Sequence, residues 1–221
     1  MTTLSRRGLL ATTGALSLAG ALAACADTGA DGKAVASSSA SDADYDKAIN
    51  SGPVAADDVV AASPWAASVK QAKKLVTGGT KTSEVFSWED SKTKKISGFD
   101  AAIAQALARY IIGGDDARSL LEVQQVTSET RETVLTNGTV KAVIATYTIT
   151  PERAKKIDFA GPYYASSQAI LVKADNKDIT GVDTLTGDVA VQSNSSSAAA
   201  LKKYAPKATA KPFDTQAKCV A

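Results

Sequence analysis

The sequence predicts an α/β protein made of two successive units of alternating strand and helix. Three observations predict it. Short apolar runs bounded by turn residues stand at 74–77, 120–126 and 140–145 and read as strands. Between the first two runs, Ile103, Leu107, Tyr110 and Ile111 recur at helical spacing and give one apolar stripe. The alternation then restarts, with a strand at 189–192, a helix at 195–204 and a strand at 208–212.

Taken in order, the chain opens with a segment that reads as an export signal. Arg6 and Arg7 follow Ser5 and precede Gly8, close to a twin-arginine pattern, with Leu9 where Phe is usual. A mildly apolar stretch, 9–22, leads to Leu22-Ala-Ala-Cys25, which is similar to a bacterial lipobox with Cys25 as the lipidated first residue. Residues 1–25 are therefore expected to be a signal with its lipobox, cleaved before Cys25, which stays as the first mature residue. An uncleaved anchor or the ordinary secretory route stays open. Residues 26–58 are rich in Ala, Ser, Asp and Gly and are expected to be a flexible tether, because they bury too little apolar surface to offset ordering.

From there 59–174 reads as a first folded unit and 175–221 as part of a second. A long loop, 78–97, carries Phe86 and Trp88. Gly113 and Gly114 stop the first long helix, and Asn137-Gly138 end a helix expected over 128–136. Strands are expected at 156–159 and 168–173, a short helix or turn at 182–186, and a cap at Asp214 for a last helix.

Composition excludes several functions. The chain has 25 Lys and Arg against 23 Asp and Glu, and loss of Arg6 and Arg7 would balance the charges. A balanced chain has no electrostatic case for nucleic acid. The lysines at 92, 94 and 95 read as a solvated loop. There is no histidine and there are two cysteines, so no metal centre is expected. Cys219 is left alone once Cys25 is used by the anchor.

The most informative stretch is Thr146-Tyr-Thr-Ile-Thr-Pro-Glu-Arg153 at the end of the 140–145 run. An arginine fork matches a carboxylate with two parallel hydrogen bonds. Thr146 and Thr148, two apart on an extended strand end, would face one side beside it. The alternative is a surface arginine paired with a nearby acid.

This stretch, with the Lys-Lys-Ile-Asp-Phe-Ala-Gly-Pro-Tyr-Tyr that ends at Tyr164, resembles the signature region of family 3 solute-binding proteins, the receptors of amino-acid ABC importers. Gly98-Phe99-Asp100 and the strand-to-serine run 188–197 resemble two further parts of the family. The likeness runs from about Lys74 onward. It implies a two-lobed, hinged, periplasmic-binding-protein-like (type II) fold, here with an incomplete second lobe and an outgoing crossing near 173–176. It implies an amino-acid ligand, polar or acidic with glutamate as first guess, no cofactor, no catalytic residues, a monomer, and a membrane permease as partner. The protein would sit on the outer face of the cell membrane through its lipid.

By that resemblance Arg153 clamps the ligand α-carboxylate, with Thr146 and Thr148 as hydroxyl donors. Ser195 and Ser196 fall on a second-lobe hydroxyl pair, after Asn194 where glycine is usual. Phe86, or else Trp88, would wall the ligand's carbon chain, and Lys81 would meet an acidic side chain. Ordinary packing or solvation is the other reading of each. Asp100 is expected to cap its helix. The family's acid for the α-ammonium has no counterpart in the chain. A cyclohexadienyl dehydratase-like enzyme on the same fold, a non-transporting sensor and a decayed receptor are the alternatives.

Overall fold

The structure is a computed structural model that describes residues 41–221. The signal, the lipobox and Cys25 lie outside the described residues, as does the first part of the expected tether, 26–40.

The described part of that tether is not loose. Asp42–Asn50 forms a helix, α1, capped by the Ser41 side chain, which accepts from the Asp44 amide. It is held because three of its side chains find partners. Ile49 is buried. The Tyr45 hydroxyl donates to Gln105 Oε1 at 2.8 Å. Asp46 pairs with Arg118, whose guanidinium lies 4.5 Å over the Tyr45 ring. Two short helices follow, α2 (Asp57–Ala61) and α3 (Pro64–Ala72), the latter with proline in its first turn and Ser63 as its cap.

The main sheet is parallel. Its central strand β1 (Leu75–Gly79) is almost wholly buried. The loop expected at 78–97 carries a small antiparallel sheet of β2 (Thr82–Ser83), β3 (Ser87–Glu89) and β4 (Ile96–Ser97). Helix α4 (Phe99–Ile112) then crosses to β5 (Leu121–Gln125), which pairs with one side of β1. Helix α5 (Arg131–Thr136) leads to β6 (Ala142–Val143), which pairs with the other side. The order β5-β1-β6 puts a change of direction at β1. Ligand crevices of open α/β sheets lie at the carboxyl ends of strands at such a point. The core below contains Leu75, Val69, Ala108, Ile111, Val60 and Ala66.

Helix α4 buries Ala101, Ala104, Ala108 and Ile111, while Tyr110 is exposed. Its inner face is thus mostly one of small residues, and of the expected stripe only Ile111 is fully buried, with Ile103 and Leu107 along the margin. Its first turn is capped by neither Asp100 nor any other side chain. The cap residue is Gly98, with φ +113°. The free amides of Phe99 and Asp100 donate to the carbonyls of Val85 and Phe86, at 2.9 and 2.8 Å. A Cβ on Gly98 would stand 2.6 Å from the Phe86 carbonyl carbon, so only glycine permits this approach.

A second parallel pair, β7 (Gly187–Gln192) and β8 (Ala208–Phe213), is joined by α7 (Ser197–Tyr204). The segments expected as strands at 156–159 and 168–173 are not strands. An extended segment needs a neighbour to complete its ladder, and none among the described residues pairs with either. Leu171 is 77 % exposed as a result. The last helix, α8 (Gln216–Val220), is capped by the Thr215 hydroxyl rather than by Asp214, which pairs with Lys218 instead.

Candidate functional site

Two loops meet at the carboxyl ends of parallel strands. One follows β6 and runs from Ala145 to α6 (Pro151–Ala154). The other follows β7 and holds Ser193 to Ser196.

Arg153 joins them. Thr150 caps α6 by accepting from the Arg153 amide, and Pro151 pre-sets the first turn, so the arginine leaves a fixed short helix. One guanidinium nitrogen donates to the Thr148 carbonyl at 2.8 Å and another to the Asn194 carbonyl at 2.8 Å. The fork therefore spans both loops, and its partners are backbone oxygens rather than an acid. Its carbon lies 4.5 Å above the Tyr147 ring. Thr148 Oγ1 approaches Ser196 Oγ at 3.3 Å, across the same junction. Gln168 also reaches in, donating to Ser196 Oγ at 3.4 Å and accepting from Ser197 Oγ at 2.9 Å.

Other expected residues stand apart from this group. Thr146 has φ +48°, in the left-handed region. The chain is not extended there, so strand alternation does not place Thr146 and Thr148 on one face. Ser195 folds back on its own loop and accepts from the Ser197 amide. Asn194, with φ +54°, occupies the left-handed turn that asparagine tolerates. Phe86 packs edge-on against Phe99 and Tyr164, at 6.5 and 5.2 Å between ring centres. This aromatic group is partly exposed, and Trp88 lies on β3 at 38 % exposure. Lys81 pairs with Glu89 at 2.8 Å, which already answers its charge.

Three residues that sequence reasoning did not select shape the loop. Tyr147 is a shelf for two cations, since the Arg131 guanidinium also lies over it at 3.9 Å. Arg131 is buried, donates to the Ala145 carbonyl at 3.0 Å, and leaves its Nε without a partner. Burial, and then the nearby charge of Arg153, push its pKa down to about 10. Asp100 is 1 % exposed and accepts from the Thr146 amide at 2.9 Å and from the Tyr163 hydroxyl at 3.1 Å. Burial raises its pKa against the lowering effect of those two bonds. The signals in the sequence were a charged residue within a helix pattern, as at 131, an aromatic between two threonines, and the Gly98-Phe99-Asp100 helix entry, where Asp100 was expected only as a cap.

Comparison with known proteins decides the family. The pattern of bacterial extracellular solute-binding proteins, family 3, matches residues 75–215, more than half of the chain. The chain belongs to this family. A glutamine-binding protein of Geobacillus stearothermophilus is 36 % identical over 150 residues, which is 67 % of this chain and 56 % of that protein. The glutamate-binding protein GluB of Corynebacterium efficiens is 31 % identical over 150 residues, 66 % of this chain and 50 % of that one. The chain thus spans little more than half the length of such relatives. Among solved structures, the ancestral amino acid-binding protein AncCDT-1, a precursor of cyclohexadienyl dehydratase, is similar at 32 % identity with a TM-score of 0.62. That match covers 70 % of this chain and 68 % of that one. The fold is accordingly the two-lobed one of the family. The family description is extracellular, and no described helix is long and apolar enough to cross a membrane.

Proposed function

We propose that the protein binds a free amino acid outside the cell membrane and delivers it to an ABC importer. Arg153 takes the α-carboxylate, exchanging its bonds to the Thr148 and Asn194 carbonyls for the two oxygens of the ligand. The observation that carries this reading is that the fork bridges two loops of different sheets and holds no acid. Thr148 and Ser196, already within 3.3 Å of each other, supply neutral donors from the two sides. Closure and binding are then one event, because the clamp exists only when the loops meet.

The ligand is a polar or acidic amino acid, with glutamate and glutamine first. Support comes from the named ligands of the relatives above and from two arginines stacked on one tyrosine, a locally positive site. Phe86 and its aromatic neighbours would border the ligand's carbon chain. Lys81 would have to leave Glu89 to meet an acidic side chain. The working form is a lipid-anchored monomer held through Cys25, with Arg6 and Arg7 directing export.

Calorimetry with a panel of amino acids tests the proposal. Saturable binding of at least one of them, abolished by esterifying its α-carboxylate, is the expected result. Equal binding of acid and ester would overturn it.

A further inference from the structure

We propose that Asp100 and Arg131 are a positioning pair that clamps one peptide unit, the unit joining Ala145 to Thr146. The geometry is direct. Arg131 donates to the carbonyl of that unit at 3.0 Å, and Asp100 accepts from its amide at 2.9 Å. Both side chains are buried, at 5 % and 1 % exposure. They come from different elements, Asp100 from the first turn of α4 and Arg131 from the start of α5. Their charges meet across the peptide rather than directly.

The arrangement suits the peptide dipole, with its oxygen toward the cation and its N–H toward the anion. A flipped peptide would set its carbonyl against the carboxylate and leave two buried charges unanswered. Such a hold has a purpose at this place. Thr146 is β-branched and stands at φ +48°, a conformation that persists only when its surroundings impose it. The grip extends to both sides. Tyr163 fixes the carboxylate from behind, and Arg131 stacks on Tyr147, the next residue. Tyr147 in turn carries Arg153. Asp100 is free for this task because the Val85 and Phe86 carbonyls cap its helix.

Two measurements on the full chain test the pair. The first needs no ligand: hydrogen exchange at the Thr146 amide, followed by NMR. The Thr146 amide is expected to exchange slowly in the natural protein. Arg131→Met and Asp100→Leu should each speed it by about tenfold or more, the loss of one charge-assisted bond. The double variant should be little faster than either, because both groups hold one unit and their effects are not additive. Should a large variant fail to fold, Arg131→Lys and Asp100→Asn keep size and polarity, and each should still move the Thr146 resonance. The second measurement is amino-acid affinity, and it rests on the carboxylate reading above. Arg131→Met should weaken binding by about tenfold, with Arg131→Lys recovering part of it, at melting temperatures that do not track the loss. Additive exchange effects, or a Thr146 amide unmoved by Arg131 substitutions, would overturn the pair. A natural protein that binds no amino acid would sink the proposed function and leave the exchange result standing.

Discussion

The loop after β6 and the loop after β7 hold similar places, each at the carboxyl end of a parallel strand, but they are built by different means. The first is fixed from outside itself. Its backbone is gripped by side chains of α4 and α5 and its tyrosine by two guanidinium groups. The second turns on its own residues, through the Asn194 turn and the Ser195 hydroxyl that accepts from Ser197, and its outside contacts are exposed ones from Arg153 and Gln168. The sheets behind them differ in the same sense. Strand β1 is buried almost throughout, whereas most of β7 and β8 is open. The difference teaches that the buried support and the stacked charges sit with the first loop. On the proposed function, the second contributes contacts that matter on closure.

Arg153→Ala is the sharpest way to break this picture. It removes the charged group that donates to both loops and, on the proposed function, leaves a ligand carboxylate unpaired, an expected loss of about 2–5 kcal/mol in binding, tens to thousands of fold in Kd. Arg153→Lys should recover little, because an ammonium lacks the fork. Calorimetry showing nearly unchanged affinity in Arg153→Ala would move the clamp elsewhere.

Next in size is Gly98→Ala, which tests whether the support of the first loop begins at the α4 cap. The added Cβ would meet the Phe86 backbone at 2.6 Å, in a φ region that side chains avoid. A destabilisation of about 2–3 kcal/mol is expected from strain of this kind. Gly181→Ala, with open space around its Cβ and extended backbone, is the matched control and should leave the melting temperature nearly unchanged. Equal effects at the two sites would remove the argument for the α4 cap.

The same contrast explains what could be read from the sequence. Helix α4, strands β1 and β5 and the β7-α7-β8 unit were legible, because periodicity and glycine stops are local signals. The segments 156–159 and 168–173 misled because an apolar run specifies extended chain, while a strand also needs a neighbour. Arg153 and Thr148 stood out in the stretch from Thr146 to Arg153, and Ser196 through the family resemblance; the structure brings the three to one junction. Asp100 was misread as a cap because the carbonyls that take that role come from Val85 and Phe86, which only tertiary structure brings to Gly98. Arg131 was not singled out, for a similar reason. Nothing local to 131 shows that β6 and Tyr147 will cover it. The tether was drawn too far because Tyr45 and Ile49 are isolated in a polar run, and two anchors suffice once α4 is there to receive them.

Ser196→Ala measures the second loop's share. Its hydroxyl stands 3.3 Å from Thr148 Oγ1 and receives Gln168 at 3.4 Å, both long and both exposed. Loss of one neutral hydrogen bond to a ligand is expected to cost about 0.5–1.5 kcal/mol, a few-fold in Kd. The stability of the free protein should not change measurably. A loss as large as that of Arg153→Ala would mean that the second loop carries charge recognition too, and the contrast between the loops would fail.

Thr146→Gly is expected to have the smallest effect and separates two meanings of that residue. If the hydroxyl is a ligand donor, as its place beside Arg153 first suggested, its removal weakens binding. The structure argues for the backbone instead. The Thr146 side chain is exposed, its φ of +48° is awkward for a β-branched residue, and its amide is the group held by Asp100. Glycine relieves the left-handed strain, by about 1–2 kcal/mol. It also adds freedom to the unfolded chain, which costs about 0.5–1 kcal/mol. The two terms oppose, so the net change in stability should be within about 1 kcal/mol and most naturally a slight gain. Affinity should stay within a few-fold, since the Asp100 bond to the amide survives the change. Thermal melting and calorimetry on one preparation read both quantities. A tenfold loss of affinity with unchanged melting would return the hydroxyl to the ligand. A clear loss of stability would show that the left-handed turn is held by the threonine itself rather than by the groups around it.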